Sequence, residues 1–90
     1  MTETREIKIK RLHMRSIRRG IKEMDLILTE FSVSHLADLS DDDLALYDAL
    51  LAENDHDLYR WVSSGEGAPD AYAPIWDRLV TTAQGLTRSN

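Results

Sequence analysis

The chain has 90 residues, enough for one small domain with a modest core but not for a second domain or an enclosed large cofactor. It has no cysteine, three histidines far apart in the sequence and no run of about 18 apolar residues, which argues against a disulfide framework, a thiolate or histidine metal site and a membrane-spanning helix. The net charge of −5 and the pI near 5.0 argue against a general nucleic-acid-binding protein.

The first predicted helix runs from about Thr4 to Arg18 and is basic. Its apolar residues Ile9, Leu12 and Ile17 lie near one side, with good helix formers around the rest. Up to Glu23 the sequence has eight basic and three acidic residues, whereas the remainder has three basic and thirteen acidic ones. This split predicts a positive surface for an acidic partner, either a protein or a phosphate. The alternative is that the basic face of this helix is simply solvated, and that its positive charge offsets the negative charge of the rest of the chain.

The second helix is predicted from about Gly20 to Ser32. Gly20 is the only glycine before residue 65, and it either ends the first helix or caps the second. If Gly20 is the cap, Glu23 stands at the third helical position, where it can reach back to the cap N–H and where its charge favours the positive end of the helix. The apolar stripe of this helix, spaced i, i+3, i+4 and i+7, is Met24, Ile27, Leu28 and Phe31.

The third and fourth helices have clear N-terminal signals. Ser40 offers an N-cap oxygen and three aspartates follow it in a first turn, so the third helix is predicted over about Asp41 to Glu53. The aspartates lack the glycine turn and spaced ligands of a calcium loop. Asn54 or Asp55 can cap a short fourth helix, which the sequence ends at Gly65.

The last helix follows the one predicted flexible loop, residues 65–69. Asp70 can cap this helix, and Pro74 is tolerated in its first turn, where backbone N–H groups have no helical partner. Gly85 is expected to end it, with a loose tail beyond. No segment alternates polar and apolar residues as strands do. The sequence therefore predicts an all-α fold, a small five-helix bundle.

One domain is expected over residues 1–90, with its core at about 5–84 and a loose C-terminal tail. An enzyme needs a nucleophile with a base, a carboxylate pair in a cleft, or a metal. His56 lies between Asp55 and Asp57, but neighbours at a helix start point in different directions. No catalytic residue, cofactor or metal is therefore predicted.

One stretch of the sequence is similar to a known family. Arg19-Gly20-Ile21-Lys22-Glu23 matches the RGxxE motif of the succinate dehydrogenase flavinylation-factor family, small assembly factors that promote covalent attachment of FAD to the flavoprotein subunit. A basic helix leads into the motif, and an acidic-apolar continuation follows it to Leu28. The later helix starts at 39–42 and 54–61 also resemble the family, so the likeness covers about residues 5 to 80.

The resemblance implies a five-helix domain that binds the flavoprotein subunit of succinate dehydrogenase, or of the related fumarate reductase, before that subunit joins its iron–sulfur partner. In the family the attachment chemistry resides in the flavoprotein, where a histidine attacks the flavin 8α carbon. The implied role of the helper is to hold that subunit in a competent geometry. A protein partner is therefore expected, with no nucleic acid and no cofactor of the chain's own.

The resemblance places the partner-binding site at the motif. Gly20 would allow close backbone approach or a tight turn, Arg19 could make forked hydrogen bonds to a carboxylate or carbonyl, and Glu23 could accept from or orient a polar group near the flavin. These residues can also act within the chain, as turn and cap, and Arg19 can pair with Glu23 four residues on. The flanking candidates are Arg15, Arg18, Lys22 and Asp25.

Two other functions remain open from the sequence. One is a regulatory module that binds nucleic acid or another protein through the basic N-terminal helix. The other gives Glu23 a part in proton transfer. For the protein itself we expect a monomer in the cytoplasm that is not inserted in a membrane.

Overall fold

The computed structural model describes residues 3–88, and for residues 87 and 88 the backbone alone. Five α-helices follow one another in this part of the chain: α1 (Arg5–Ser16), α2 (Lys22–His35), α3 (Asp41–Leu50), α4 (Asp55–Ser64) and α5 (Ala73–Arg88). Short 3-10 turns precede α3 and α5, at Leu36–Asp38 and Asp70–Tyr72. No strand occurs over residues 3–88. The predicted all-α, five-helix fold is confirmed.

The polar caps predicted for α3 and α4 are confirmed. Ser40 Oγ accepts a hydrogen bond from the Asp43 N–H at 3.1 Å. Asn54 Oδ1 accepts one from the His56 N–H at 2.8 Å. These bonds satisfy backbone donors that a helix leaves without an internal partner. Because Asn54 caps α4, the carboxylate of Asp55 is available for contacts elsewhere in the molecule.

The predicted bounds of α5 are wrong at both ends, whereas the end of α4 is predicted correctly. Gly65 terminates α4 in the left-handed conformation, with φ 79°. Asp70 does not cap α5, because it lies in a 3-10 turn and the α-helix begins only at Ala73. Gly85 does not end α5, which continues past it. A glycine inside a helix costs only about 1 kcal/mol relative to alanine. Residues 89 and 90 of the expected loose tail lie outside the described residues.

The core forms where the inward faces of the helices meet. The stripe predicted on α2 is buried: Met24, Ile27, Leu28 and Phe31. Phe31 stacks on Tyr47 of α3, with 5.2 Å between the ring centroids, and α1 contributes Leu12. The other buried hydrophobic residues are Leu36, Leu39, Leu44, Leu50, Leu51, Leu58, Val62, Tyr72, Ile75, Leu79 and Ala83. The helix α2 packs against α1, α4 and α5, and Met24 in its first turn is fully buried.

A buried hydrogen bond joins α1 to α3. The hydroxyl oxygens of Ser16 and Tyr47 are 2.5 Å apart, and both residues are fully buried. Ser16 Oγ also donates to the Leu12 carbonyl at 2.7 Å, so Tyr47 is the donor to Ser16 because a hydroxyl has a single proton. Burial raises the pKa of Tyr47 to about 12, since a buried tyrosinate would lose its hydration.

We expect Tyr47 to make the fold sensitive to alkali. Because its pKa is higher in the folded state, its contribution to stability is complete below about pH 10 and is lost as the pH rises from about 10 to 12. Tyr72, whose pKa burial and the Glu53 carboxylate also raise to about 12, acts in the same direction. Urea unfolding at several pH values measures this loss, which should be smaller in Tyr47→Phe and unchanged in the exposed Tyr59→Phe. Equal pH dependence in wild type and Tyr47→Phe would contradict it.

Candidate functional site

The segment between α1 and α2, residues 17–21, is called the corner below. Its residues belong to neither helix, since α1 ends at Ser16 and α2 begins at Lys22. The prediction that Gly20 ends the first helix or caps the second is therefore wrong. The N-cap position is occupied by Ile21, which is extended and has no side-chain cap bond. Gly20 itself does not have a positive φ.

Asp55, in the first turn of α4, holds the corner in place. Its Oδ1 accepts a hydrogen bond from Arg19 Nε at 2.8 Å and lies 2.7 Å from Arg19 Nη2. Its Oδ2 accepts from the Gly20 N–H at 2.8 Å. The remaining edge of the guanidinium donates through Nη1 to the Arg15 carbonyl at 3.1 Å. With the Arg19 and Asp55 side chains only 12% and 17% exposed, this ion pair is shielded from solvent.

Gly20 has a steric reason to be glycine. A Cβ added at this position would lie 3.2 Å from Asp55 Oδ2, closer than ordinary van der Waals contact. The side of Gly20 away from Asp55 is open, because the residue is exposed. What the position requires is room for the carboxylate and not a left-handed backbone.

A second carboxylate braces the corner from α2. Asp25 Oδ1 accepts hydrogen bonds from the Arg18 N–H at 3.1 Å and from Thr29 Oγ1 at 3.2 Å. Arg18 has φ 59°, a left-handed conformation that costs a non-glycine residue about 1 kcal/mol or more. The bond to Asp25 helps to offset that cost. Asp25 therefore stabilises the corner from within the chain.

Three charged side chains remain exposed around the corner, those of Arg18, Lys22 and Glu23. None of these side chains forms a hydrogen bond or ion pair with a residue whose side chain the structure describes. The predicted capping by Glu23 does not occur, since the Gly20 N–H is bonded to Asp55. Together Arg18, Gly20, Lys22 and Glu23 make an exposed patch of both charge signs, called the corner surface below.

The positive surface predicted for the N-terminal part of the chain is partly neutralised by its own carboxylates. Four arginines form ion pairs: Arg5 with Asp41, Arg11 with Glu3 and Asp48, Arg15 with Asp48, and Arg19 with Asp55. Burial of Asp48 opposes its ionisation, but the hydrogen bonds and charges of Arg11 and Arg15 outweigh burial and hold its pKa below the ordinary value. Much of the basic charge on α1 thus contacts α3.

The predicted site residues lie in one region. Asp55, which binds Arg19 and Gly20 there, is not among the predicted site residues. That region comprises the last turn of α1, the corner and the first turn of α2. It contains Arg15, Arg18, Arg19, Gly20, Lys22, Glu23 and Asp25. Asp55 is predicted only as a possible cap of α4 and is separated from Arg19 by 36 residues, so no local pattern connects the two. One feature of the sequence could have indicated this role of Asp55. Both Asn54 and Asp55 are able to cap α4, but the helix needs only one N-cap residue, so the other side chain can bind elsewhere.

None of the helices over residues 3–88 is long and apolar enough to cross a membrane. Within the same part of the chain, no cluster of three or more histidine or acidic side chains could hold a metal ion.

Known proteins are similar to this chain over most of its length. The model of the family described as flavinator of succinate dehydrogenase matches residues 10–83. A relative from Meyerozyma guilliermondii, named succinate dehydrogenase assembly factor 2, mitochondrial, is 51% identical over 61 residues, which cover 68% of this chain and 45% of the relative. Another from Drosophila yakuba, named succinate dehydrogenase assembly factor 2-A, mitochondrial, is 36% identical over 92 aligned positions, with coverages of 96% and 57%. The chain spans about half the length of these curated relatives.

The comparisons also correct the predicted location. The relatives from Meyerozyma guilliermondii, Candida glabrata and Drosophila yakuba are all named mitochondrial. The expectation of a cytoplasmic protein, which depended on composition and on the absence of a recognisable export signal, is therefore wrong.

Proposed function

The chain belongs to the family of succinate dehydrogenase flavinators, and on that basis we propose that it binds the flavoprotein subunit of succinate dehydrogenase, or of fumarate reductase, and promotes covalent attachment of FAD to that subunit. It acts as an assembly chaperone and not as an enzyme. The attachment chemistry belongs to the flavoprotein, and the helper binds the competent conformer of that subunit more tightly than other conformers. Such differential binding raises the population of the competent conformer.

The corner surface is the observation that supports this function. Its charged side chains are exposed and have no side-chain partner among the described residues, while Asp55 and Asp25 fix the backbone beneath them. A patch whose backbone is already ordered loses less conformational entropy on binding. Charges of both signs allow it to donate and accept hydrogen bonds. These properties suit a docking surface for a folded protein.

We assign the predicted site residues to two roles. The Arg19 guanidinium directs its Nε and Nη2 edge toward Asp55, so within this chain it supports the corner. A direct contact of Arg19 with the partner stays a prediction. The residues proposed to contact the flavoprotein are Arg18, Gly20, Lys22 and Glu23, and those proposed to support them are Arg15, Arg19 and Asp25.

Capture of the partner from native lysate tests the proposed function. The tagged chain should recover the flavoprotein subunit, identified by mass spectrometry. Deletion of the gene should abolish the flavin fluorescence that remains on this subunit after denaturing electrophoresis, because that fluorescence reports covalent flavin. If the subunit is not recovered and its covalent flavin is unchanged in the deletion strain, the proposed function is wrong.

A further inference from the structure

The contacts of Asp55 indicate a role that its position as a helix-start residue does not explain. We propose that Asp55 is the positioning residue of the corner surface: its carboxylate fixes the conformation in which this surface meets its partner. We further infer that glycine is favoured at position 20 because a Cβ there would lie 3.2 Å from Asp55 Oδ2 and crowd that carboxylate. The part of this inference that concerns a partner rests on the proposed function.

Both oxygens of Asp55 are used for the corner. One accepts from the Arg19 guanidinium and the other from the Gly20 N–H, with donor–acceptor distances of 2.7 to 2.8 Å. Hydrogen bonds to an ionised carboxylate are about twice as strong as those between neutral groups. These bonds connect the first turn of α4 to the backbone that precedes α2. The position of Gly20 is therefore set by α4 as well as by its own chain neighbours.

The number of acceptor oxygens on residue 55 matters here. Asn54 caps α4 through its bond to the His56 N–H, which leaves both oxygens of Asp55 to accept from Arg19 and Gly20. Asparagine at position 55 would keep the shape but replace one acceptor oxygen with an NH₂ group, which cannot accept from Gly20 or Arg19. Alanine would remove both acceptors. We expect partner affinity to fall in the order wild type, Asp55→Asn, Asp55→Ala.

Two explanations for the glycine at position 20 make different predictions. If the partner must approach this backbone closely, a Cβ would interfere whatever residue occupies position 55. If the carboxylate of Asp55 requires the space, the Cβ is harmful only while that carboxylate is present. The 3.2 Å separation between the added Cβ and Asp55 Oδ2 favours the second explanation.

A double-mutant cycle separates these explanations. Dissociation constants for the flavoprotein subunit are measured for wild type, Gly20→Ala, Asp55→Ala and the double variant. We expect each single change to weaken binding about tenfold and the double variant to bind no more weakly than Asp55→Ala, because residues in direct contact are not additive. If the two effects multiply to about a hundredfold, Gly20 acts independently of Asp55 and the inference is overturned.

Asp57 provides a matched control on the same helix. It lies in the same first turn of α4 and carries the same charge, but its ion pair is with the exposed Arg60, at 3.2 Å. Asp57→Ala therefore removes an acidic side chain from the start of α4 and leaves the contacts between Asp55 and the corner intact. It should bind the flavoprotein within about twofold of wild type, as expected for an exposed ion pair. A loss equal to that of Asp55→Ala would show that the charge of α4, and not the contact with the corner, is responsible.

A measurement on the free chain distinguishes failure of this inference from failure of the proposed function. Amide hydrogen exchange by NMR should show Gly20 protected in wild type and in Asp57→Ala, and exposed to exchange in Asp55→Ala. Asp55→Asn serves the same purpose if Asp55→Ala does not fold. Unchanged Gly20 exchange in a folded Asp55 variant overturns the positioning role. If Gly20 loses protection in the Asp55 variant but wild type does not bind the flavoprotein, the positioning role stands and only the proposed function is overturned.

Discussion

Replacing Glu23 with arginine is expected to weaken binding to the flavoprotein subunit by about tenfold or more, because it reverses one of the exposed charges of the corner surface. Glu23 makes no hydrogen bond or ion pair with a described side chain, so the fold does not depend on its carboxylate. In the first turn of α2 its charge contributes only about 0.3–1 kcal/mol through the helix dipole. Isothermal titration calorimetry measures the affinity, and urea unfolding measures the stability.

Glu30→Arg is the matched control for this change. Glu30 is exposed on the same helix, about two turns or roughly 10 Å further along its axis, and it undergoes the same charge reversal. It should bind within about twofold of wild type. Equal losses in Glu23→Arg and Glu30→Arg would mean that overall charge, and not the corner, governs binding. Glu23→Gln adds a separate test, because loss of flavin attachment with binding retained would support a proton-transfer role.

Phe31→Ala is expected to lower the free energy of unfolding by about 3–5 kcal/mol. Phe31 is fully buried, and its ring lies 4.9 Å from that of His35 and 5.2 Å from that of Tyr47, measured between centroids. Alanine would leave a cavity between α2 and α3, a large loss for a domain whose total stability is about 5–15 kcal/mol. Urea unfolding followed by circular dichroism measures the change.

Val33 supplies the comparison on the same helix. Its side chain is 70% exposed, so Val33→Ala should change the free energy of unfolding by less than about 0.5 kcal/mol. A loss below about 1 kcal/mol in Phe31→Ala would contradict the central position of this ring in the core.

The helices were predictable because their signals are local. The spacing of Met24, Ile27, Leu28 and Phe31 is enough to assign the buried face of α2, since a helix brings such residues onto one side. A serine at position 40 has a local hydrogen-bonding role, which the structure confirms. Gly85 shows the limit of such signals, because tertiary contacts override a penalty of about 1 kcal/mol.

The segment that joins α1 to α2 was predictable from the sequence, but the contacts that hold it in place were not. Residues alone suggested a turn and a cap at Gly20, and the family resemblance added a partner. Neither the residue pattern nor the family resemblance predicts that the Asp55 carboxylate binds the Arg19 guanidinium. That contact depends on how α4 packs against the corner. The charge asymmetry was similarly ambiguous. Part of the basic charge predicted to face an outside partner is paired with α3, for example through Arg15 and Asp48.

Hydrogen–deuterium exchange of the chain, free and bound to the flavoprotein subunit, is the decisive measurement for the corner surface. We predict slower amide exchange over residues 18–24 in the complex and no change over residues 66–69, which lie in the loop after α4. A stable complex in which residues 18–24 exchange at the rate of the free chain would contradict docking through the corner.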